Sequence, residues 1–154
     1  MIDNADVLFR SPSKAARFAL LLLALLVGWT AAGCSRGPKI VPTKGKVLFK
    51  GEPLPYGSVM FQPASGQPAR SEIKPDGTFV LGTNTLSDGA TVGTNRVRVT
   101  SYESQSPTAT ISRDAEFSLG KSQIPKRYTD FDTSDLVVEV ADTKGNDVLL
   151  ELTE

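Results

Sequence analysis

Apolar positions along this chain follow two different rules. From Phe18 to Trp29 they are nearly continuous, with leucine at every position from Leu20 to Leu23. After Pro42 they alternate with polar residues, the period of a half-buried β-strand. Val47 and Phe49 are expected to face a core while Lys46 and Lys50 face water. Gly51-Glu52-Pro53-Leu54-Pro55 forces a turn, and residues 57–62 form a second strand with Val59 and Phe61 inward. Residues 69–74 make a third, with Arg70, Glu72 and Lys74 alternating with Ala69, Ser71 and Ile73. Pro75-Asp76-Gly77 is a turn in which Gly77 takes a positive φ, and Phe79 lies inward on the strand 78–81 that follows.

Residues 82–93 read as a loop, and residues 95–102 as a fifth strand, with Val97 and Val99 set against Arg96 and Arg98. The stretch 103–123 is rich in Ser and Thr and has no sustained period; it leaves open a short strand at 108–112 or a helical turn at 113–117. The segments 136–140 and 147–152 are expected to close the domain as a hairpin through Thr143-Lys144-Gly145-Asn146. Their core candidates are Leu136, Val138, Val140, Val148, Leu150 and Leu152. About seven short strands separated by turns predict an all-β domain, an antiparallel Greek-key β-sandwich.

The continuous apolar run belongs to a targeting signal. Arg10, Lys14 and Arg17 precede it, and Ala31-Ala32-Gly33 lead from it to Cys34. The run is shorter than the about 20 apolar residues a spanning helix needs. Small residues before a cysteine suit a lipoprotein peptidase, although Ala31 stands where a larger aliphatic residue is more usual. Residues 1–33 are therefore read as a lipoprotein signal peptide and Cys34 as the acylated first residue of the mature chain. Residues 34–42 are then the tether and 43–154 the domain. Ser35, in place of an Asp, points to the outer membrane of a double-membraned cell.

Composition narrows the chemistry. Lys plus Arg and Asp plus Glu both number 17, and no basic block stands out, which argues against nucleic acid as a partner. There is no histidine, and Cys34 is the only cysteine. Ser-His-Asp and Cys-His catalysis, and zinc sites built on His or Cys, are excluded. The single tryptophan, Trp29, lies in the signal, so the domain lacks the Trp platform common in sugar-binding modules.

The motifs Gly45-Lys46-Val47, Gly51-Glu52-Pro53-Leu54 and Gly57-Ser58-Val59-Met60-Phe61, followed by Asp76-Gly77-Thr78-Phe79, resemble the opening of carboxypeptidase-regulatory-like (transthyretin-like) domains. Asp88-Gly89 before Val97-Arg98-Val99 continues the pattern. Ile124-Pro125-Lys126-Arg127-Tyr128 with Thr133-Ser134-Asp135-Leu136 resembles the close of short bacterial lipoproteins built on this domain. The resemblance spans nearly all of residues 43–153 and implies a fold rather than an activity.

Few side chains suggest a site. Asp130, Asp132 and Asp135 offer the hard oxygen ligands Ca²⁺ takes, but the EF-hand Gly and Glu are absent, Ala141 standing at the twelfth position. A solvated loop, with no metal or cofactor, is the expectation. Asp142 and Asp147 read as turn residues. Lys46 and Asn146 are the pair for an isopeptide bond, but Lys46 is expected outward. Tyr56, Tyr102 and Tyr128 read as rim or core packing. A carboxylate hydrolase would draw on Glu52, Glu72, Glu103, Glu116 or Glu139, all read as exposed. The leading expectation is a non-enzymatic envelope protein, held to membrane lipid through Cys34, that binds or spaces an envelope protein or glycan. A carbohydrate- or peptide-binding module is the alternative.

Overall fold

The described residues form ten short strands. The structure, a computed structural model, describes residues 37–109 and 118–154; the signal, Cys34, Glu116 and most of both alternatives for 108–117 lie outside them. The strands are β1 (Ile40–Val41), β2 (Thr43–Phe49), β3 (Glu52–Pro53), β4 (Ser58–Pro63), β5 (Ala69–Glu72), β6 (Thr78–Val80), β7 (Ala90–Thr91), β8 (Gly93–Thr100), β9 (Val137–Val140) and β10 (Asn146–Leu152). Among the described residues the only helical elements are two short 3-10 turns, Glu103–Gln105 and Lys126–Thr129. The fold is all-β. No helix among these residues is long and apolar enough to cross a membrane.

One four-stranded sheet runs β5-β4-β8-β9, wholly antiparallel. In the other, β2 is flanked on one side by β10 and on the other by β6 and β3 in turn. β1 and β7 form a separate two-stranded pair. The inward residues of the two larger sheets share one core. Val47, Phe79, Leu150 and Leu152 come from one, and Val59, Phe61, Val97, Val99 and Val140 from the other. The rings of Phe61 and Phe79 meet across it with centroids 6.2 Å apart. Leu54, Ile73, Leu81, Ile124 and Tyr128 fill its margins.

Three expectations are corrected. The closing hairpin does not form: β9 pairs antiparallel with β8, whereas β10 pairs parallel with β2, Asn146 opposite Thr43 and Leu152 opposite Phe49. The sheets are therefore not all antiparallel. A two-residue alternation says which face of a strand is buried, not which strand lies beside it. The switch between sheets is fixed at Asn146. Its backbone N–H donates to Pro42 O at 2.9 Å, and its side chain binds the N–H and C=O of Ala141 at 3.0 and 3.1 Å. Asn146 thus begins a strand instead of sitting in a turn. Residues 40 and 41, expected in the tether, form β1 against Ala90 and Thr91, within the stretch expected as loop. In the 103–123 stretch, Tyr102 bridges to Ser122 and a 3-10 turn follows Tyr102.

Candidate functional site

The outer face of the β5-β4-β8-β9 sheet carries a row of polar and cationic side chains that packing does not consume. Register sets Arg70, Met60 and Arg98 side by side across β5, β4 and β8, and Gln62 beside Arg96 in the next row. Period 2 sends all of these outward, because Ala69, Phe61, Val97 and Val99 point in. Phe131 covers the β8 end of this face: the guanidinium carbons of Arg98 and Arg96 lie 5.2 and 5.9 Å from its ring centroid. Arg96 also pairs with Asp132 at 3.2 Å, and the Arg98 guanidinium reaches the Met60 sulfur at 3.7 Å. Among the described residues, neither Arg70 nor Arg98 has a carboxylate within 4.0 Å.

Next to Arg70 the face opens into a groove of about 1120 Å³. Ser58, Met60, Arg70 and Glu72 line it from β4 and β5, and residues 82–87 form its far wall. The wall is a built structure. Asp88 accepts the backbone N–H of Thr83 at 2.6 Å on one carboxylate oxygen, and those of Asn84 and Thr85 at 3.0 and 3.1 Å on the other. The Thr83 hydroxyl donates to Gly89 O at 2.7 Å. Gly82 and Arg70 exchange both backbone hydrogen bonds, at 2.9 and 3.0 Å, which fastens the loop to the β5 edge. Ser87 sits at φ 67°, in the left-handed region. Gly89, at φ 107°, passes so close to Val41 that a Cβ would meet its carbonyl oxygen. At the tip of this pinned loop Leu86 is 98% exposed, with Val80, 38% exposed, also lining the groove.

Burial of Asp88 pushes its carboxyl upward, but the N–H donors of Thr83, Thr85 and Asn84 outweigh it and hold the group below the ordinary carboxylate range. A depressed folded-state pKa contributes stability that is complete above the unfolded value, about 3.9, and is lost as pH falls through the lower folded value. At neutral pH, Asp88→Ala should speed amide hydrogen exchange at Thr83, Asn84 and Thr85 by about tenfold or more, since charge-assisted bonds are lost. Wild-type protection in that variant would mean that other contacts hold the loop.

The residues singled out from sequence do not converge on this groove, Glu72 excepted. Asp130 accepts the N–H of Asp132, Asp132 pairs with Arg96, and Asp135 is exposed. Among the described residues no three His, Cys, Asp or Glu side chains are grouped to hold a metal. Asp142 pairs with Lys39 at 2.5 Å and Asp147 with Lys44 at 3.6 Å, on separate parts of the chain. Lys46 lies opposite Leu149, while Asn146 lies opposite Thr43.

Tyr128 is structural: buried, it accepts hydrogen bonds from the Arg127 guanidinium at 2.8 Å and from Thr153 N at 3.1 Å. Arg127 also ties Thr153 O and Glu154 O, clasping the end of β10. Burial raises the Tyr128 phenol, yet the bonds from Thr153 and Arg127 bring it below its ordinary value. Tyr56 and Tyr102 are half-buried. Glu103 accepts the N–H of Lys121, Glu139 the hydroxyl of Thr94, and Glu52 is exposed on β3. Sequence reasoning passed over Met60, Arg70, Phe131 and the loop wall. The available signal was Asp88, an acid a few residues after a Thr-Asn-Thr stretch, the composition of a side-chain-pinned turn.

No family model matches the chain, and no curated protein does. Among solved structures, it is similar to a DUF3823 family protein from Parabacteroides merdae ATCC 43184, at 16% identity and a TM-score of 0.37, over 76% of this chain and 47% of that one. It is also similar to a 9R-lipoxygenase from Cyanothece PCC8801, at 13% identity and a TM-score of 0.37, over 92% of this chain and 21% of that one. The chain thus spans about half the length of the first and about a fifth of the second.

Proposed function

We propose that this chain is a non-enzymatic, lipid-anchored cell-envelope protein whose β domain binds another surface component. In this reading the domain is a Greek-key sandwich of the carboxypeptidase-regulatory-like kind, preceded by a lipoprotein signal and anchored through acylated Cys34, in the outer membrane. The ordered motifs from Gly45 to Leu136 support the fold assignment, and the small residues before Cys34 support the anchor.

The observation that carries the binding role is Leu86. A leucine at 98% exposure, on a loop pinned by three N–H bonds to one carboxylate beside a groove of about 1120 Å³, is pre-organised for contact. Folding leaves its side chain almost wholly in solvent. A carboxylate hydrolase has less support: Glu72 and Glu139 stand on the opposite edge strands of one sheet, at least about 14 Å apart at about 4.8 Å per strand step. Paired glycosidase carboxylates are within about 9.5 Å.

A photoreactive amino acid placed at Leu86 of the full chain, in cells that make it, should give one discrete cross-linked product. The same group at Leu149, on the outer face of the other sheet, should give none. Equal labelling from both positions, or none from either, would remove the groove as the contact surface.

A further inference from the structure

Resting on the groove as the interaction surface, we propose that its ligand is a carboxylate-bearing oligosaccharide, whose acid group is received by Arg70. The lining is chemically mixed in the way a charged sugar requires. Arg70 and Lys74 are its cations and Glu72 its single carboxylate, and Arg98 stands just behind Met60. A planar guanidinium without an internal carboxylate partner matches a carboxylate with two parallel N–H bonds. Asn84 and Ser87 are exposed on the opposite wall and make no side-chain hydrogen bond among the described residues, which leaves them to meet sugar hydroxyls. Met60, Val80 and Leu86 supply apolar surface for the C–H faces of the rings. At about 1120 Å³ the groove is no smaller than the roughly 300–1,000 Å³ pockets that take drug-sized molecules, so its size admits a short sugar chain.

Two other acidic ligands fit less well. An extended acidic peptide gains affinity by adding a strand to a free sheet edge. Here the β5 edge is interrupted at its middle, because Arg70 and Gly82 exchange backbone hydrogen bonds and the Val80 N–H donates to the Ser71 hydroxyl. Single-stranded nucleic acid needs aromatic platforms for its bases. It also needs a positive track for its phosphates, whereas the groove sets only Arg70 and Lys74 against Glu72.

The test is a titration of the full chain, purified from membranes, with a short oligogalacturonate, a cello-oligosaccharide and an oligoglutamate of matched length. Oligogalacturonate should bind, with the neutral sugar at least about tenfold weaker. Arg70→Gln should weaken binding by about tenfold or more, the loss of a charge-assisted pair. Leu86→Ser, at a fully exposed tip that cannot disturb the core, should also weaken it, and Lys126→Gln, outside the groove, should not. Absence of binding, an unchanged affinity in Arg70→Gln, or oligoglutamate binding as tightly with the same dependence on Arg70 would each overturn the assignment. Failure of the sugar alongside a retained Leu86 cross-link would leave the interaction surface standing; failure of both would remove the surface as well.

Discussion

Gly45→Ala is expected to destabilise the domain by about 3 kcal/mol or more, a loss normally reserved for emptying a core position. Gly45 lies in β2 directly between Val148 of β10 and Phe79 of β6. A Cβ there would stand 2.1 Å from the Val148 carbonyl oxygen and 2.7 Å from the edge of the Phe79 ring. Neither neighbour has room to retreat, one being the backbone of a paired strand and the other a ring only 1% exposed. Phe61→Ala provides the reference, since removing a fully buried phenylalanine costs about 3–5 kcal/mol. Both losses are large beside a total stability of roughly 5–15 kcal/mol. Denaturant melts of the two variants should show comparable drops. A Gly45→Ala protein within about 0.5 kcal/mol of wild type, the range of a neutral surface change, would mean that β10 does not lie beside β2.

That variant probes the part of the fold that the sequence hid. Burial was legible because it follows from period 2 alone: Val47, Val59, Phe61, Phe79, Val97, Val99 and Leu150 all point inward as their polar neighbours implied. The Pro75-Asp76-Gly77 turn was legible too. Gly77 takes φ 81°, and the Asp76 carboxylate receives the N–H and hydroxyl of Thr78. Partner choice was not legible. β9 and β10 each offer alternating aliphatics and a short connection, which a hairpin satisfies equally well on local grounds. What separates them is a long-range bond, Asn146 N–H to Pro42 O, that no local pattern announces. Val137 and Leu149, 59% and 57% exposed, end up on the outer faces of different sheets as a result.

The candidate site was less legible than the fold, and for a related reason. Arg70, Met60 and Arg98 are distant in sequence and become neighbours only through strand register. Read singly, each is an ordinary outward residue on a half-buried strand. The acids that drew attention in sequence, Asp130, Asp132 and Asp135, are clustered along the chain, yet their groups turn to backbone, to Arg96 and to solvent.

Cys34→Ser carries the largest functional effect expected of any single change under the proposed reading: essentially complete loss of the domain from membranes. Each buried methylene of an acyl chain contributes about 0.8 kcal/mol, so an anchor of several chains holds the protein firmly. Serine puts a hydroxyl in place of the thiol, a far weaker nucleophile for the thioether to diacylglycerol. The described domain offers no membrane-spanning helix to replace it.

The most direct measurement is the intact mass of the chain recovered from membranes of cells that produce it. The proposed reading predicts a chain that begins at Cys34 and carries diacylglycerol on its sulfur. A chain that retains residues before Cys34, or one that begins there or later without any lipid mass, would contradict it.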